Sequence, residues 1–393
     1  MKTDLRGELP GLGEALDVLD ATHVRWRGRS LVYFGGCDYL RLAQHPALHR
    51  AARAALAREG LDVSASRKTT GNRALYEQLE HAIARFFAVE AAVLTSTGYT
   101  ASLVAVQALA GEITHVLLDA RAHSCLRDAA AVSGLSQQNF AHRSADDLAR
   151  RLRACGRGAR PLVMTDGLFG NDGSVAPLPG YLRLLPRRGV LLVDDAHAAG
   201  VLGAQGRGTP EWFGLRDSRL VQTITLSKAF GAYGGALLGS KELCRAAVEK
   251  SHAFAGGTPV PPPLAGAALR SLELLRASAA RRHRLAANTR FIKGRLADTG
   301  LPSAQTPGPL VELVPNDSAA AARLKKRLLA AQIFPSLIRY PGGPAGGYFR
   351  FAISSEHRRT ELTALADVLR EQTAPFHGES CGQSHPSPRP SPR

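Results

Sequence analysis

Residues 221–235, VQTITLSKAFGAYGG, join an apolar β-branched run to a lysine and then to a glycine-rich turn. Val221–Leu226 reads as a buried strand, and Lys228 follows its end directly. An ammonium beside an apolar strand is costly to keep charged, which favours a lowered pKa or conversion to an imine. The glycines beyond it let the backbone approach a flat ligand closely. A surface lysine opening a Gly-rich loop is the plainer reading of the same residues.

Working outward, short apolar runs recur at Val116–Leu118, Leu162–Thr165, Val190–Val193 and Ala236–Leu238, mostly separated by helical or loop segments. This rhythm predicts an α/β fold with a largely parallel sheet covered by helices on both faces. In such sheets chemistry gathers where strands end. Ala91–Thr95 leads into Ser96-Thr97-Gly98-Tyr99-Thr100 and an apolar helix, whose first N–H groups suit a phosphate. Val190–Val193 leads into Asp194-Asp195-Ala196-His197, an acid and an imidazole three residues apart. Asp119-Ala120-Arg121-Ala122-His123 follows another strand. Taken singly, each has an ordinary explanation as turn or capping chemistry. Together with Lys228 they fit a pyridine-type cofactor, the acid meeting a pyridinium nitrogen and His197 a ring oxygen.

Farther out, His23–Phe34 alternates around Arg27-Gly28 as a hairpin would, and a helix is expected from about Pro46. Leu75, Leu79, Ile83, Phe86 and Phe87 keep helical spacing before the Ala91 strand. Pro-rich Thr258–Pro263 introduces an Ala/Leu/Arg stretch to about Leu296, suited to one linking helix. A smaller α+β unit follows, with strand Tyr348–Ser354 and helix Arg359–Glu371. The Pro/Ser-rich tail from Thr373 is expected to be disordered.

The composition bounds the function classes. No apolar run approaches the roughly 18 residues of a membrane span, and the acidic residues near the amino terminus fit neither a secretory nor a transit signal. A cytoplasmic protein is the expectation. Cys37, Cys125, Cys155, Cys244 and Cys381 lack paired or zinc-type spacing and read as free thiols, so no metal is expected. The formal charge of +17 raises nucleic acid as a partner, but no dense basic block or aromatic stripe accompanies it. A diffuse field for anionic cofactors and substrates fits better, and a compositional bias without function fits about equally well.

The ordered segments CDYLRLAQHP, TTGNRALYEQLE, STGYTAS, ARAHSCL, TDGLFGNDGSVAPLP, VDDAHAAGVLG, TLSKAFGAYGG and RFAISSEH, from about Asp38 to Glu371, resemble the α-oxoamine synthase family. These are pyridoxal-phosphate acyltransferases of the class I/II aminotransferase type. The resemblance implies fold type I, with a mostly parallel seven-stranded sheet in a large domain over 46–282. An entry segment (1–45), a small α+β domain (283–372) and a tail (373–393) complete the expected division. It also implies pyridoxal 5'-phosphate on Lys228 as a Schiff base, with Thr225 and the Gly98-Tyr99 backbone at the phosphate. Asp194 would pair with the ring nitrogen, His197 with the phenolic oxygen, and His123 would stack on the ring. Arg350 would hold the substrate carboxylate. The implied reaction condenses an amino acid with an acyl-CoA, usually with decarboxylation, in a homodimer.

The chain departs from the family pattern on the substrate side. Cys37 stands where an asparagine commonly helps to hold the carboxylate, and Gly170 where biotin-pathway members carry a serine near the ring oxygen. Asp195 replaces the usual glutamate. Gly256-Gly257-Thr258 lacks a common Ser-Thr pair, and Tyr340–Pro344 departs from the loop near the acyl donor. An aminotransferase on the same fold is the competing enzyme. A non-catalytic family subunit competes less well, since a scaffold has no use for Lys228.

Overall fold

Strand-forming runs too apolar to face water on either side force the chain into layers. In the computed structural model, which describes residues 13–339 and 344–373, a small antiparallel sheet opens the chain with β1 (Asp17–Val18), β2 (His23–Trp26) and β3 (Arg29–Val32). The helices α1 (Pro46–Glu59) and α2 (Ala74–Phe87) follow. Then the chain alternates: β4 (Ala91–Thr95), α3 (Gly98–Ala108), β5 (His115–Asp119), α4 (Ser124–Val132), β6 (Gln137–Phe140), α5 (Ala145–Ala154), β7 (Pro161–Asp166), α6 (Leu178–Leu184) and β8 (Val190–Asp194). A short α7 (Thr209–Trp212), β9 (Leu220–Thr225) and β10 (Gly235–Gly239) close this part.

Seven of these strands form one sheet in the order β4-β10-β9-β8-β7-β5-β6. All neighbours run parallel except β10, which is antiparallel to both β4 and β9. The α/β class and the mostly parallel seven-stranded sheet therefore hold. Successive residues of a strand face opposite sides. Thus Leu162 and Met164 of β7 and Leu192 of β8 join one core, while Val163, Leu191 and Val193 join another beneath the other helical layer. Each of these side chains is fully buried, so truncation to alanine costs about 2–5 kcal/mol for a leucine. The expected stripe on α2 is also buried, and Ala88 ends that helix in the left-handed region at φ 54°.

Beyond the sheet run α8 (Lys241–Lys250), α9 (His252–Ala255), α10 (Pro262–Ala277), α11 (Ala280–Arg295), β11 (Leu310–Leu313), α12 (Ser318–Ala330), β12 (Leu337–Ile338), β13 (Tyr348–Ala352) and α13 (Arg359–Thr373). The single linking helix expected up to Leu296 is two helices. Ser278 takes an extended conformation (φ −149°, ψ 129°) and breaks the run between α10 and α11. The last strand also ends at Ala352, short of the expected Ser354. Strands β11, β13 and β12 form a separate antiparallel sheet. Its core of Ile292, Val311, Phe349, Phe351 and Leu362 includes Phe34 from the entry segment.

Main-chain bonds from Ala352 N to Phe34 O (2.6 Å) and Phe334 N to Val32 O (2.9 Å) fasten that segment to the small sheet. His357 strengthens the seam. Its Nδ1 accepts from Ser354 N (3.0 Å), its Nε2 lies 3.2 Å from Tyr33 O, and its ring stacks on Phe34 at 4.1 Å. The Pro/Ser-rich tail expected from Thr373 lies, past that residue, outside the described residues, as do residues 340–343 of the acyl-side loop.

Candidate active site

Strands β4, β5, β7, β8 and β9 end on polar residues, and these ends converge. Asp194 closes β8 as the register partner of Asp166 on β7. The Asp194 carboxylate is buried; Oδ1 accepts from Ala196 N at 3.0 Å and Oδ2 from the Cys125 thiol at 3.1 Å. Burial beside two carboxylates pushes the Cys125 thiol up, so it stays protonated and donates.

His123 begins α4 by accepting from Cys125 N at its Nδ1 (3.2 Å), and the Cys125 Sγ lies 3.0 Å from the same nitrogen. Burial lowers the His123 pKa, with Lys228 adding to the effect and Asp194 opposing it. The imidazole is therefore neutral at physiological pH. Because Nδ1 accepts, its proton sits on Nε2. Asp166 receives the His123 N–H at 2.8 Å and so fixes the turn that presents the ring. Burial, and then the charge of Asp194, push Asp166 well above the usual carboxylate range. Two fully ionised carboxylates do not coexist there.

Lys228 lies in the turn from β9 back into β10, half-buried, with its carbonyl accepting from Gly231 N at 2.9 Å. Its charge bears on His123, Asp166 and His197 together. Strand β10 runs back between β9 and β4, which brings the β4–α3 turn against Thr225. A Cβ on Gly98 would come within 2.6 Å of the Thr225 Cβ. Only glycine fits this contact.

Thr97 and Thr100 form a reciprocal capping box, and Gly98 and Tyr99 occupy the first helical positions. Their N–H groups have no intrahelical acceptor, as at any helix start, and they face an anion well. The Thr225 hydroxyl is 3.2 Å from Gly234 O and accepts from Ser227 N at 3.2 Å. It is thus held within its own turn. Tyr99 sets its ring edge-on to His123, with centroids 6.2 Å apart, and its hydroxyl donates to Asp128.

From the three-stranded sheet of β11, β13 and β12, Arg350 of β13 donates from Nη1 to Gly170 O at 3.2 Å, and Nη2 lies 3.8 Å from the Cys37 sulfur. Two residues from opposite ends of the chain therefore meet. His197 sits nearby, buried, with Nδ1 2.7 Å from the Tyr39 hydroxyl. Burial holds its pKa well below the ordinary value, and the charges of Lys228 and Arg350 lower it further. Asp195, by contrast, faces away from this pocket. It accepts from Thr209 N, the Thr209 hydroxyl and Gln222 Nε2, each at 2.7 Å, and burial raises it to about 7.

All the candidate side chains named from sequence thus border one region. Asp166, Cys125 and Tyr39 join them without having been assigned a role. For Asp166 a signal existed, an acid ending the strand next to that of Asp194. The contacts of Cys125 and Tyr39 cross from distant segments and leave no local trace.

The pocket's donors fit a flat, phosphorylated pyridine: a helix start for the phosphate, a buried carboxylate for a ring nitrogen, two neutral imidazoles and an amine. A family model described as aminotransferase class I and II matches residues 30–369. An 8-amino-7-oxononanoate synthase from Symbiobacterium thermophilum is 35% identical over 351 residues, 88% of this chain and 90% of that protein. One from Pseudomonas fluorescens is 40% identical over 359 residues, covering 89% and 91%. Among solved structures, a serine palmitoyltransferase from S. paucimobilis bound to a PLP–myriocin adduct superposes with a TM-score of 0.85 at 26% identity, covering 91% of this chain and 92% of that one. An 8-amino-7-oxononanoate synthase from Francisella tularensis shares the fold, with a TM-score of 0.74 over 87% of this chain and 97% of that one.

Proposed function

The chain belongs to the aminotransferase class I and II family, within its α-oxoamine synthase branch, and from that premise we propose how its residues divide the work. It is a pyridoxal-phosphate-dependent acyltransferase. We propose an amino acid and an acyl-CoA as its substrates, by analogy with the 8-amino-7-oxononanoate synthases it resembles. The observation that carries this reading is the convergence of Lys228, Asp194, His123 and His197 at the strand ends, with Arg350 reaching them from the small sheet.

When bound, pyridoxal phosphate supplies an electron sink for cleaving bonds at the amino acid's α-carbon. Lys228 would hold it covalently, and the same amine would serve as the general base for the α-proton. Asp194 keeps a proton on the ring nitrogen. The Cys125 thiol and the Ala196 N–H support that carboxylate in its place. His123, neutral and turned by Asp166, would pack against the ring. His197 donates toward the ring oxygen. The N–H groups of Gly98 and Tyr99 bind the phosphate, and Thr225 joins them if its hydroxyl turns from Gly234 O. Arg350 offers a planar fork to the substrate carboxylate, with the Cys37 sulfur against one of its arms.

The surrounding basic charge suits the phosphates of coenzyme A. The proposed division into a large domain over 46–282 and a small one over 283–372 puts the carboxylate site between the two cores. A homodimer in the cytoplasm completes the proposal. Tyr99 and Tyr233, 40% and 41% exposed beside the glycine-rich turn, support a second copy packing there. Among the described residues no helix is long and apolar enough to cross a membrane.

The test is release of free thiol from acyl-CoA. It should require the amino acid, the thioester and Lys228 together, across a series of acyl chain lengths. Stoichiometric conversion of the cofactor to its amine form by an amino acid alone, reversed by a keto acid and with no thiol released, would replace this reading with an aminotransferase.

A further inference from the structure

His197 and Gly170 compete for one volume. A Cβ built on Gly170 would overlap the His197 Nε2 and come within 2.8 and 2.9 Å of Cε1 and Cδ2. No side chain at position 170 is compatible with this imidazole placement. The opposite nitrogen, Nδ1, is fixed by the Tyr39 hydroxyl at 2.7 Å.

Tyr39 is itself rigidly held. It is 1% exposed and lies edge-on to the imidazole, with centroids 6.1 Å apart. Its N–H donates to Cys37 O at 2.8 Å, and its carbonyl accepts from Ser355 N at 2.9 Å.

The charges that bear on His197 at physiological pH are those of Lys228 and Arg350, both positive. Together with burial they keep the imidazole neutral, so it carries a single N–H. Burial, with the Cys37 sulfur beside it, keeps the Tyr39 phenol protonated and able to donate. Where the phenol donates to Nδ1 and not to the Cys37 sulfur it also contacts, the imidazole proton lies on Nε2, the atom that adjoins Gly170. Without that phenol, nothing in this contact selects one tautomer over the other.

We infer that Tyr39 is a positioning residue that sets His197 as an Nε2–H donor, and that Gly170 provides the space this arrangement needs. The inference rests on the reading that pyridoxal phosphate occupies the pocket. It assigns the donation toward the ring oxygen to His197 through Tyr39, rather than to any side chain at position 170. A serine at that position would therefore displace the imidazole instead of adding a second donor.

The experiment compares Tyr39→Phe, Gly170→Ser and Gly170→Ala with the wild-type holoenzyme. It follows the pH midpoint of the bound cofactor's visible absorbance and the rate of cofactor dissociation. Tyr39→Phe keeps the buried ring and removes only the hydroxyl. It should shift the midpoint by about half a unit or more and speed dissociation about tenfold. Both Gly170 variants should move the two readouts in the same direction. Unchanged readouts in Tyr39→Phe, or slower dissociation in Gly170→Ser, would overturn the inference. Should Tyr39→Phe fail to fold, the Gly170 pair decides alone. A wild-type protein that takes no cofactor onto Lys228 would remove the cofactor reading and this inference together. Cofactor on Lys228 with unmoved variants removes only the inference.

Discussion

Acid should weaken the seam between the entry segment and the small sheet, and His357 is where the effect is greatest. Folded, the imidazole is neutral, with Nδ1 accepting from Ser354 N and Nε2 facing Tyr33 O. Burial, with the charges of Arg41 and His23 facing it, depresses its pKa from 6.5 to about 3. Here the folded value lies below the unfolded one. The unfolded chain therefore takes up the proton first as pH falls through 6.5, and the native state loses stability from there down to about pH 3. The slope is about 1.4 kcal/mol per pH unit, and the total approaches about 5 kcal/mol.

Asp195, raised to about 7, works in the opposite sense. Its carboxyl stays protonated in the fold while the unfolded chain ionises, so it gains stability as pH falls from 7 to about 4. The wild-type profile alone therefore hides both groups. A difference isolates one. His357→Gln keeps an acceptor and an N–H but cannot titrate, and at pH 7.5 it should cost about 1–3 kcal/mol through lost stacking and imperfect bonds. Denaturant unfolding of both proteins from pH 8 to 4.5 should show a constant difference above pH 7. Below 6.5 the difference should shrink by about 1.4 kcal/mol per unit, a fall of about 2.7 kcal/mol by pH 4.5, which nearly cancels a cost of about 3 kcal/mol and reverses a smaller one. A difference that stays flat over the whole range would refute the reasoning.

Three further outcomes are expected. Borohydride reduction followed by peptide mapping should find the cofactor on Lys228, and Lys228→Ala should lose the covalent link and the thiol release with it. Arg350→Ala should weaken amino-acid binding at least about tenfold, since losing a charge-assisted bidentate partner costs about 1.5–3 kcal/mol, whereas Cys37→Asn should tighten it; unchanged affinity in Arg350→Ala places the carboxylate elsewhere. Gly98→Ala forces its methyl to within 2.6 Å of the Thr225 Cβ, and at about 1–3 kcal/mol for such overpacking cofactor affinity should fall about tenfold by equilibrium dialysis.

Much of this architecture is legible in the chain because the central strands are buried on both faces. A run such as Leu191–Val193 has to be apolar throughout, and its polar successor Asp194 then marks a strand end. Strand β6 escaped that reading. Its residues, Gln137-Gln138-Asn139-Phe140, sit at the sheet edge with only Phe140 buried, so no apolar run announces it. The break between α10 and α11 escaped because neither glycine nor proline marks it; the exposed Ser278 turns extended and its hydroxyl accepts from Ala280 N at 3.2 Å. The run Ala236–Leu238 shows a strand but not its direction. In the site, Lys228, Asp194 and His123 stand out as titratable groups at or just after strand ends, whereas Arg350, in the middle of β13, is marked only by the family resemblance. Tyr39 does not stand out, because its partner is 158 residues away.

The reversed strand β10 also has a consequence for how the chain is made. In the sheet β4 borders β10 alone, so Ala91–Thr95 has no partner until Gly235–Gly239 has been synthesised. At ribosomal rates of about 5–20 residues per second this is a wait of roughly seven to thirty seconds. During that interval a nearly uncharged strand stands as an open edge, the kind of template that recruits foreign strands. The middle of the sheet, β5 with β7 and then β8, can assemble meanwhile in order of synthesis. The corner where Gly98 meets Thr225 is thus the last part of the sheet to close, and a nascent protein gains the proposed phosphate cradle only when this sheet is complete.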